Sequence, residues 1–524
     1  VTEISEKRKW WAVGVLSVAV LITGLDITVL NLAMPQLATD IGASTADLQW
    51  IINSYVLAEA ALLLPIGLMA DRWGRKKILI GALVLFGVTS LFAANAETSA
   101  QLIIARTILG LGAAALVPIP FALVRVMFRE DERTKAFAVL SGITMLSLPL
   151  GPLLGGWLVS HFWWGSVFLI NVPVVAFTVV ALIVLLPESR ASQTPRVDLT
   201  GIVVSSLGLI LLTFGIIEAG RLSITDPVAL GSSALGVVIL AGFIFRERAL
   251  TRRPGAEPLL DMSLFRSRPF TWGTILSVVV FFAISGLLFT LPQYFQEVRN
   301  NDPMETGVRL LPVILGIAIG VIAYNWILNR FGATVGIGLG FFLIAVGMAA
   351  AAGTTLSSGY GYVFGWSVII GAGLGFVMVG TAAVAMNEIS EERSGVGTAM
   401  MQAVQRFASA LGVAILGAIF NANYRGSLEL PGLPAETVEA ARDSAPAGVE
   451  VARQLGSEEV LTMVRSAFMD GMSVMLWAMC GIAIAGLLLT VVMLPPRVLA
   501  TAKTDNAEAD GSSDQDALAG YNGS

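Results

Sequence analysis

The chain has 524 residues, of which 56% are hydrophobic and 13% charged, with a mean hydropathy of +0.79 and a formal charge of −5. About a quarter of a soluble globular chain is charged, so half that share over this length excludes a water-covered surface and points to an all-α polytopic membrane protein. A single cysteine, Cys480, and a single histidine, His161, exclude an internal disulfide, histidine-rich metal sites and histidine triads.

A helix crosses the hydrocarbon with about 20 apolar residues. In chain order, fourteen such stretches are predicted at 11–33, 49–70, 78–96, 100–127, 136–159, 165–186, 199–219, 228–246, 271–296, 307–328, 334–353, 360–386, 395–421 and 470–494. The first follows the short basic segment VTEISEKRKWW; it is too long for a signal-peptide core and lacks a small-residue cleavage site, so it is read as a retained span. Spans seven and eight lie between PESRASQTPRVD and a long basic segment, as an insertion between two groups of six. The expected division is a six-helix bundle over 1–190, two inserted helices with a basic loop over 191–260, a second six-helix bundle over 261–496, and a disordered tail over 497–524.

Lysine and arginine orient the spans. EKRK, DRWGRKK, REDERTK and Arg246–Arg268, the last with six arginines, fall on one side, whereas 34–48 and 160–165 have none and 218–227 has Arg221 alone. Both termini are therefore expected in the cytoplasm, with the chain in the cytoplasmic membrane. The long loop 422–469 falls outside, and AETVEAARDSA and SEEVLTMVRSAF predict two short amphipathic helices there.

An internal repeat supports two related halves. ADRWGR, Ala70–Arg75, follows span two, and LNRFGA, Leu328–Ala333, follows span ten, with a polar residue, arginine, an aromatic and glycine at matching offsets. Two similar bundles around a central cavity are a transporter arrangement.

Three ionisable residues interrupt apolar runs: Asp26 in VLITGLDITVLNLAMP, Glu59 in YVLAEAALLLP and Arg106 in RTILGLGAAA. Such groups are costly within the bilayer and call for a partner or a wet cavity. At 1.5 Å per residue they lie roughly 13, 15 and 10 Å from the outer face, so the three share a layer of the first bundle and can meet. Asp26 has two open roles, a static tie to Arg106 or a proton-coupling carboxylate; Glu59 either shares the second or only faces a polar neighbour or lipid. Arg406, in span thirteen, is either an interface contact or part of a pocket. In SLPLGPLLGGWL of span five, Ser147, Gly151 and Gly155 recur every four residues, a face for close helix approach, and Pro149 and Pro152 predict a bend.

These motifs resemble those of the major facilitator superfamily. GLMADRWGRKK is similar to its signature loop, which implies a conformational latch between the halves at Asp71, Gly74 and Arg75; the second copy has Asn329 and Ala333 instead. RTILGLGAAA resembles the fourth-helix motif, whose arginine is linked to proton transfer. SLPLGPLLGGWL resembles the antiporter motif, implying roles for Pro149, Gly151, Pro152, Gly155 and Gly156, with Ser147 where the family usually has glycine. LDITVLNLAMP and the span count resemble the fourteen-helix drug:proton antiporters of the QacA, LfrA and EmrB types.

The resemblance implies export of lipophilic, cationic drugs or antiseptics against protons by alternating access. A dedicated exporter of an endogenous antibiotic, metabolite or lipid is the alternative. The implied proton-coupling or cation-binding set is Asp26, Glu59 and Arg106, and the candidate pocket lining is Asn31, Asn53, Tyr55, Phe282, Phe289 and Arg406. Relatives often carry an acid where this chain has Asn53, which favours monovalent or neutral substrates. A secondary transporter rather than an enzyme is expected: no GK[ST] follows a phosphate-binding loop, and Cys480 and His161 lack visible catalytic partners. The expected partners are small lipophilic molecules, protons and the lipid bilayer. No cofactor, metal or nucleic acid is expected, and the chain is expected to act as a monomer.

Overall fold

The computed structural model describes residues 6–494 apart from 187, 190–197, 224, 254–258, 261, 388 and 390, and every regular element among them is helical. The expected disordered tail and most of PESRASQTPRVD lie outside the described residues.

The first group of helices comprises α1 (Glu6–Asp40), α2 (Thr45–Trp73), α3 (Arg75–Ala94), α4 (Ser99–Leu116), α5 (Pro118–Met127), α6 (Glu130–His161), α7 (Ser166–Leu169) and α8 (Asn171–Leu185). Next come α9 (Leu199–Arg221) and α10 (Pro227–Thr251). The remainder are α11 (Arg268–Gln293), α12 (Pro303–Phe331), α13 (Ala333–Ala352), α14 (Tyr360–Met386), α15 (Glu391–Ser427), α16 (Ala435–Asp443), α17 (Ala445–Leu455) and α18 (Glu458–Met493). Among the described residues twelve helical stretches are long and apolar enough to cross a membrane, and fourteen if two bent ones are included. Those two are α2, bent by 55° where Pro65 interrupts the ladder, and α6, bent by 41° ahead of Pro149. Proline lacks the backbone donor that would keep each helix straight.

Apolar side chains collect into two main cores. One joins Ala12 through Leu186 and takes in Leu209, Phe289, Ala410 and Val413 from later helices; the other joins Leu276 through Leu494 and takes in Leu32 from α1. Glu6 of α1 and Met493 of α18 mark what we call the near end, and the 161–171 and 293–303 connections mark the far end. At the far end the two bundles are sewn together. Ser160 Oγ accepts from Met304 N at 3.1 Å, Leu32 O accepts from Gln296 Nε2 at 3.1 Å, and α2 meets α15 where Gln49 lies against Gly417.

The inserted helices do not lie between the bundles. Ile217 of α9 packs with Ala46 of α2 and Ala414 of α15, and Asn421 Nδ2 donates to Gly220 O at 3.2 Å. Thus α9 covers the far half of the α2–α15 seam from the side, and α10 packs on α9 with most of its surface turned outward.

The repeat is visible in the backbone. Gly74 joins α2 to α3 at φ +110° and Gly332 joins α12 to α13 at φ +88°, conformations that L side chains rarely adopt.

The loop 422–469 departs from expectation in one respect. AETVEAARDSA forms α16, but SEEVLTMVRSAF is not a separate helix. It is the start of α18, capped by Ser457, because no breaker separates its helical pattern from the final apolar run. The second short helix is α17, in the stretch between those two segments. Ser444 caps it, Pro446 sits in its first turn where no donor is needed, and Gly456 ends it in the left-handed region. Thr45 Oγ1 of α2 donates to Asp443 O at 3.1 Å, so this cap also holds the first bundle.

Candidate functional site

Asp26 on α1 and Arg106 on α4 form a dry ion pair. Arg106 Nη1 donates to Asp26 Oδ2 at 2.5 Å, and both side chains are 1% exposed. Arg106 Nε also donates to the carbonyl of Ile51 at 3.1 Å, and its guanidinium lies 4.1 Å from the Tyr55 ring centre. A buried pair with this much additional bonding is expensive to break from one side. Both partners belong to the first bundle.

Glu59, which the shared layer would allow to meet them, makes its ion pair elsewhere. Its Oε1 lies 3.0 Å from Arg406 Nη2 on α15, so the contact crosses between the bundles. Glu59 is 1% exposed and the Arg406 side chain 28%. The geometry is that of a charge contact without an aligned hydrogen bond to either carboxylate oxygen. Buried polar atoms of Asn53, Ser54 and Tyr55 on the same stretch of α2 likewise have no hydrogen-bond partner among the described residues. Glu59 lies 14 residues into α2, about 21 Å from its far end, and Arg406 15 residues into α15, about 22 Å from its near end. Both therefore sit at mid-height. The sequence flagged both residues, but nothing in it pairs helices so distant along the chain; that contact is set by how the bundles pack.

Between the bundles a cleft is lined by Thr28 and Asn31 of α1, Pro152 of α6, Ile284, Leu288 and Pro292 of α11, and Leu310, Val313, Ile314 and Ile317 of α12. It encloses about 30 Å³, room for a water and not for a drug-sized molecule, as befits the joined far end. Of the expected pocket residues Asn31 lines it. Asn53, Tyr55 and Phe289 are instead buried, Tyr55 beneath Arg106, while Phe282 is part-buried with its backbone against Gly412. Arg406 belongs to the Glu59 contact rather than to this cleft.

The antiporter-like stretch of α6 makes close approaches on two sides. Gly151 and Gly155 face Thr28 and Val29 of α1, whereas a Cβ on Gly156 would come within 2.8 Å of Met304 Cα on α12. Gly307 of α12 in turn lies against Pro152. Small residues here let α6 touch its own bundle and the opposite one together.

In the α2–α3 turn Arg75 Nε donates to Asp71 Oδ1 at 2.8 Å, and Arg75 N donates to Ser189 O at 3.0 Å. Lys76 Nζ reaches Leu186 O at 2.6 Å, and a Cβ on Gly74 would run into the Glu188 carboxylate. These contacts fasten the turn to the end of α8, within the first bundle. None of them reaches the second bundle, as the expected latch would require in another conformation.

The sequence profile of the Major Facilitator Superfamily matches residues 16–413. The chain belongs to this superfamily. It is a multi-pass membrane transporter, not an enzyme. Its similarity to the tetracenomycin C resistance and export protein of Streptomyces glaucescens is 32% identity, covering 89% of this chain and 88% of that one. The multidrug efflux pump LfrA of Mycolicibacterium smegmatis is 29% identical, covering 89% of this chain and 92% of that one. A bacterial homologue of the human lysosomal transporter Spinster shares the fold with a TM-score of 0.66 at 16% identity, over 94% of this chain and 99% of that one. The first two relatives are an antibiotic export and resistance protein and a multidrug efflux pump, and the third shows the fold alone.

Proposed function

We propose that this transporter exports lipophilic cations in exchange for protons, with fourteen spans, both termini in the cytoplasm and the near end facing inward. The observation that carries this reading is the Glu59–Arg406 contact at 3.0 Å, which holds the two bundles together at mid-height while the far end is closed.

In this state an ionised Glu59 is neutralised by Arg406. A substrate cation entering from the near end competes with the guanidinium for the same carboxylate. Once Arg406 is displaced, one tie between α2 and α15 is gone, and the far end is held only by its own contacts, among them Ser160–Met304 and Leu32–Gln296. After the cation leaves, a proton from outside neutralises Glu59, and the bundles close again without an unpaired negative charge. Loss of that proton to the cytoplasm restores the ion pair. A carboxylate that alternates between a proton, a substrate cation and Arg406 is sufficient for exchange, because the three are mutually exclusive. Asp26 and Arg106, both inside the first bundle and fully buried, serve as the static tie that positions Tyr55 and α2.

Proton-driven accumulation of a lipophilic monocation in inverted membrane vesicles tests this reading. Uptake should build with the pH gradient and collapse with a protonophore; uptake indifferent to both would refute it.

A second reading, a dedicated exporter of a neutral antibiotic, draws on the cleft, whose lining residues carry no charge, and on the Streptomyces glaucescens relative, a resistance and export protein for tetracenomycin C. In that case a neutral aromatic compound would out-compete monocations for transport.

A further inference from the structure

The near end of α10 carries a feature that transport does not use. Helix α10 shows two different faces as it leaves the membrane. On one, Phe243 and Glu247 are buried; Glu247 accepts from Leu260 N at 2.9 Å and from Arg246 Nη1 at 2.7 Å, folding the following linker back against the helix. Arg246 in turn clasps Asp198 at the start of α9, at 2.6 and 2.8 Å. The opposite face is turned outward: Ile244 is 41% and Phe245 68% exposed, followed by exposed Arg248 and Arg252, with Arg253 exposed beside them. Residues 244, 245, 248 and 252 share a face at helical spacing.

The linker adds to the same end. Leu264 and Phe270 pack on Ala385, Met400 and Met401 of the second bundle, which leaves Arg266 and Arg268 exposed at the entry to α11. Among the described residues none of the five guanidiniums of Arg248, Arg252, Arg253, Arg266 and Arg268 makes an ion pair or hydrogen bond; Glu257 and Asp261 lie outside the described residues. The acid within reach, Glu247, is already committed to Arg246 and Leu260.

We propose that this arginine cluster is a binding surface for anionic glycerophospholipids. Acyl chains lie along Ile244 and Phe245, and the phosphate is held by Arg248 and Arg252, roughly 5 and 11 Å further along the axis. Apolar surface followed on the same face by unpaired arginines matches the two ends of such a lipid. Guanidinium forks bind phosphate oxygens in pairs, which a solvated loop charge does not need. The inserted helices thereby gain a role in this chain: α9 rests on the α2–α15 seam, and α10 ties α9 to the charge of the leaflet.

The test is native mass spectrometry of the full-length protein released from nanodiscs made of phosphatidylglycerol and phosphatidylcholine in equal amounts. The wild type should retain phosphatidylglycerol selectively. The triple substitution Arg248→Gln, Arg252→Gln and Arg253→Gln should reduce that retention by about tenfold or more, since each surface arginine is worth roughly a fivefold change. The Lys-substituted triple variant, which keeps the charges but not the paired forks, should retain less than the wild type and more than the Gln variant. A Gln variant with undiminished selectivity overturns the proposal, as does equal displacement of the lipid by inorganic phosphate at low concentration. If the Gln variant does not fold, salt titration of the wild type decides: selectivity must fall as ionic strength rises, and salt-independent retention contradicts the proposal.

Discussion

Glu59 and Arg406 meet at 3.0 Å across the seam between two bundles, whereas Asp26 and Arg106 meet at 2.5 Å inside one. A contact between bundles must break whenever they rock apart; a contact within one need not. That difference assigns the two pairs to different tasks and generates separate expectations for each.

Removing one partner of the internal pair should act on stability. Asp26→Asn leaves Arg106 buried without its counter-ion, at a cost of about 3–5 kcal/mol. Thermal unfolding in detergent should show the loss, while the proton-to-substrate ratio of whatever transport remains stays that of the wild type. A changed ratio with unchanged stability would exchange the roles assigned to Asp26 and Glu59.

Gly74 is held at φ +110° beside the Glu188 carboxylate. Gly74→Ala should therefore strain the α2–α3 turn by about 1–3 kcal/mol, before any clash with Glu188 is added. Hydrogen exchange at the start of α3 should quicken, because Arg75 N loses its bond to Ser189 O. Unchanged protection there would show that the turn relaxes without leaving α8.

Gly156→Leu should prop α6 away from α12 at the far end, where Met304 Cα leaves no room for a side chain. Spin labels on the far ends of the two helices should report longer distances, and substrate release outward should outpace loading. Distances matching the wild type would mean that the two helices do not form the closure.

The bond from Arg246 holds the Asp198 carboxyl below the usual carboxylate range, against the opposing effect of burial. A depressed carboxylate pKa stabilises the folded arrangement above the unfolded value, near 3.9, and loses that contribution as pH falls through the folded value. The α9–α10 clasp should thus be intact at neutral and mildly acidic pH and weaken only below about pH 4. Exchange of the Gly201 amide, which donates to Asp198 Oδ1 at 2.9 Å, reads this out. Arg246→Gln should move the weakening to higher pH.

The helices were legible in the sequence because each apolar run is long and bounded by turn or charged residues; all fourteen predicted stretches overlie helical segments with ends off by at most two residues, and 100–127 and 165–186 each cover a pair of helices. The positive-φ glycines were legible too, since the repeat places Gly74 and Gly332 at the same offset. The small-residue face of α6 could be read from its four-residue spacing, but Gly156 as a contact to the opposite bundle could not. Three-dimensional pairing was the hidden part. Depth arithmetic put Glu59 in one layer with Asp26 and Arg106 but left its azimuth open, so the helix it faces could not be read. Likewise Tyr55 and Phe289 looked like pocket aromatics, because composition does not say which side of a buried helix a ring fills.

The central claim is that Glu59 carries the exchange between proton, substrate and Arg406. Its most direct test is counter-transport in proteoliposomes with an imposed pH gradient, comparing wild type with Glu59→Gln. The account predicts that the variant loses gradient-driven accumulation of a lipophilic monocation and its substrate-induced proton release, while remaining folded with Asp26–Arg106 intact. Wild-type accumulation and proton release by Glu59→Gln would contradict it.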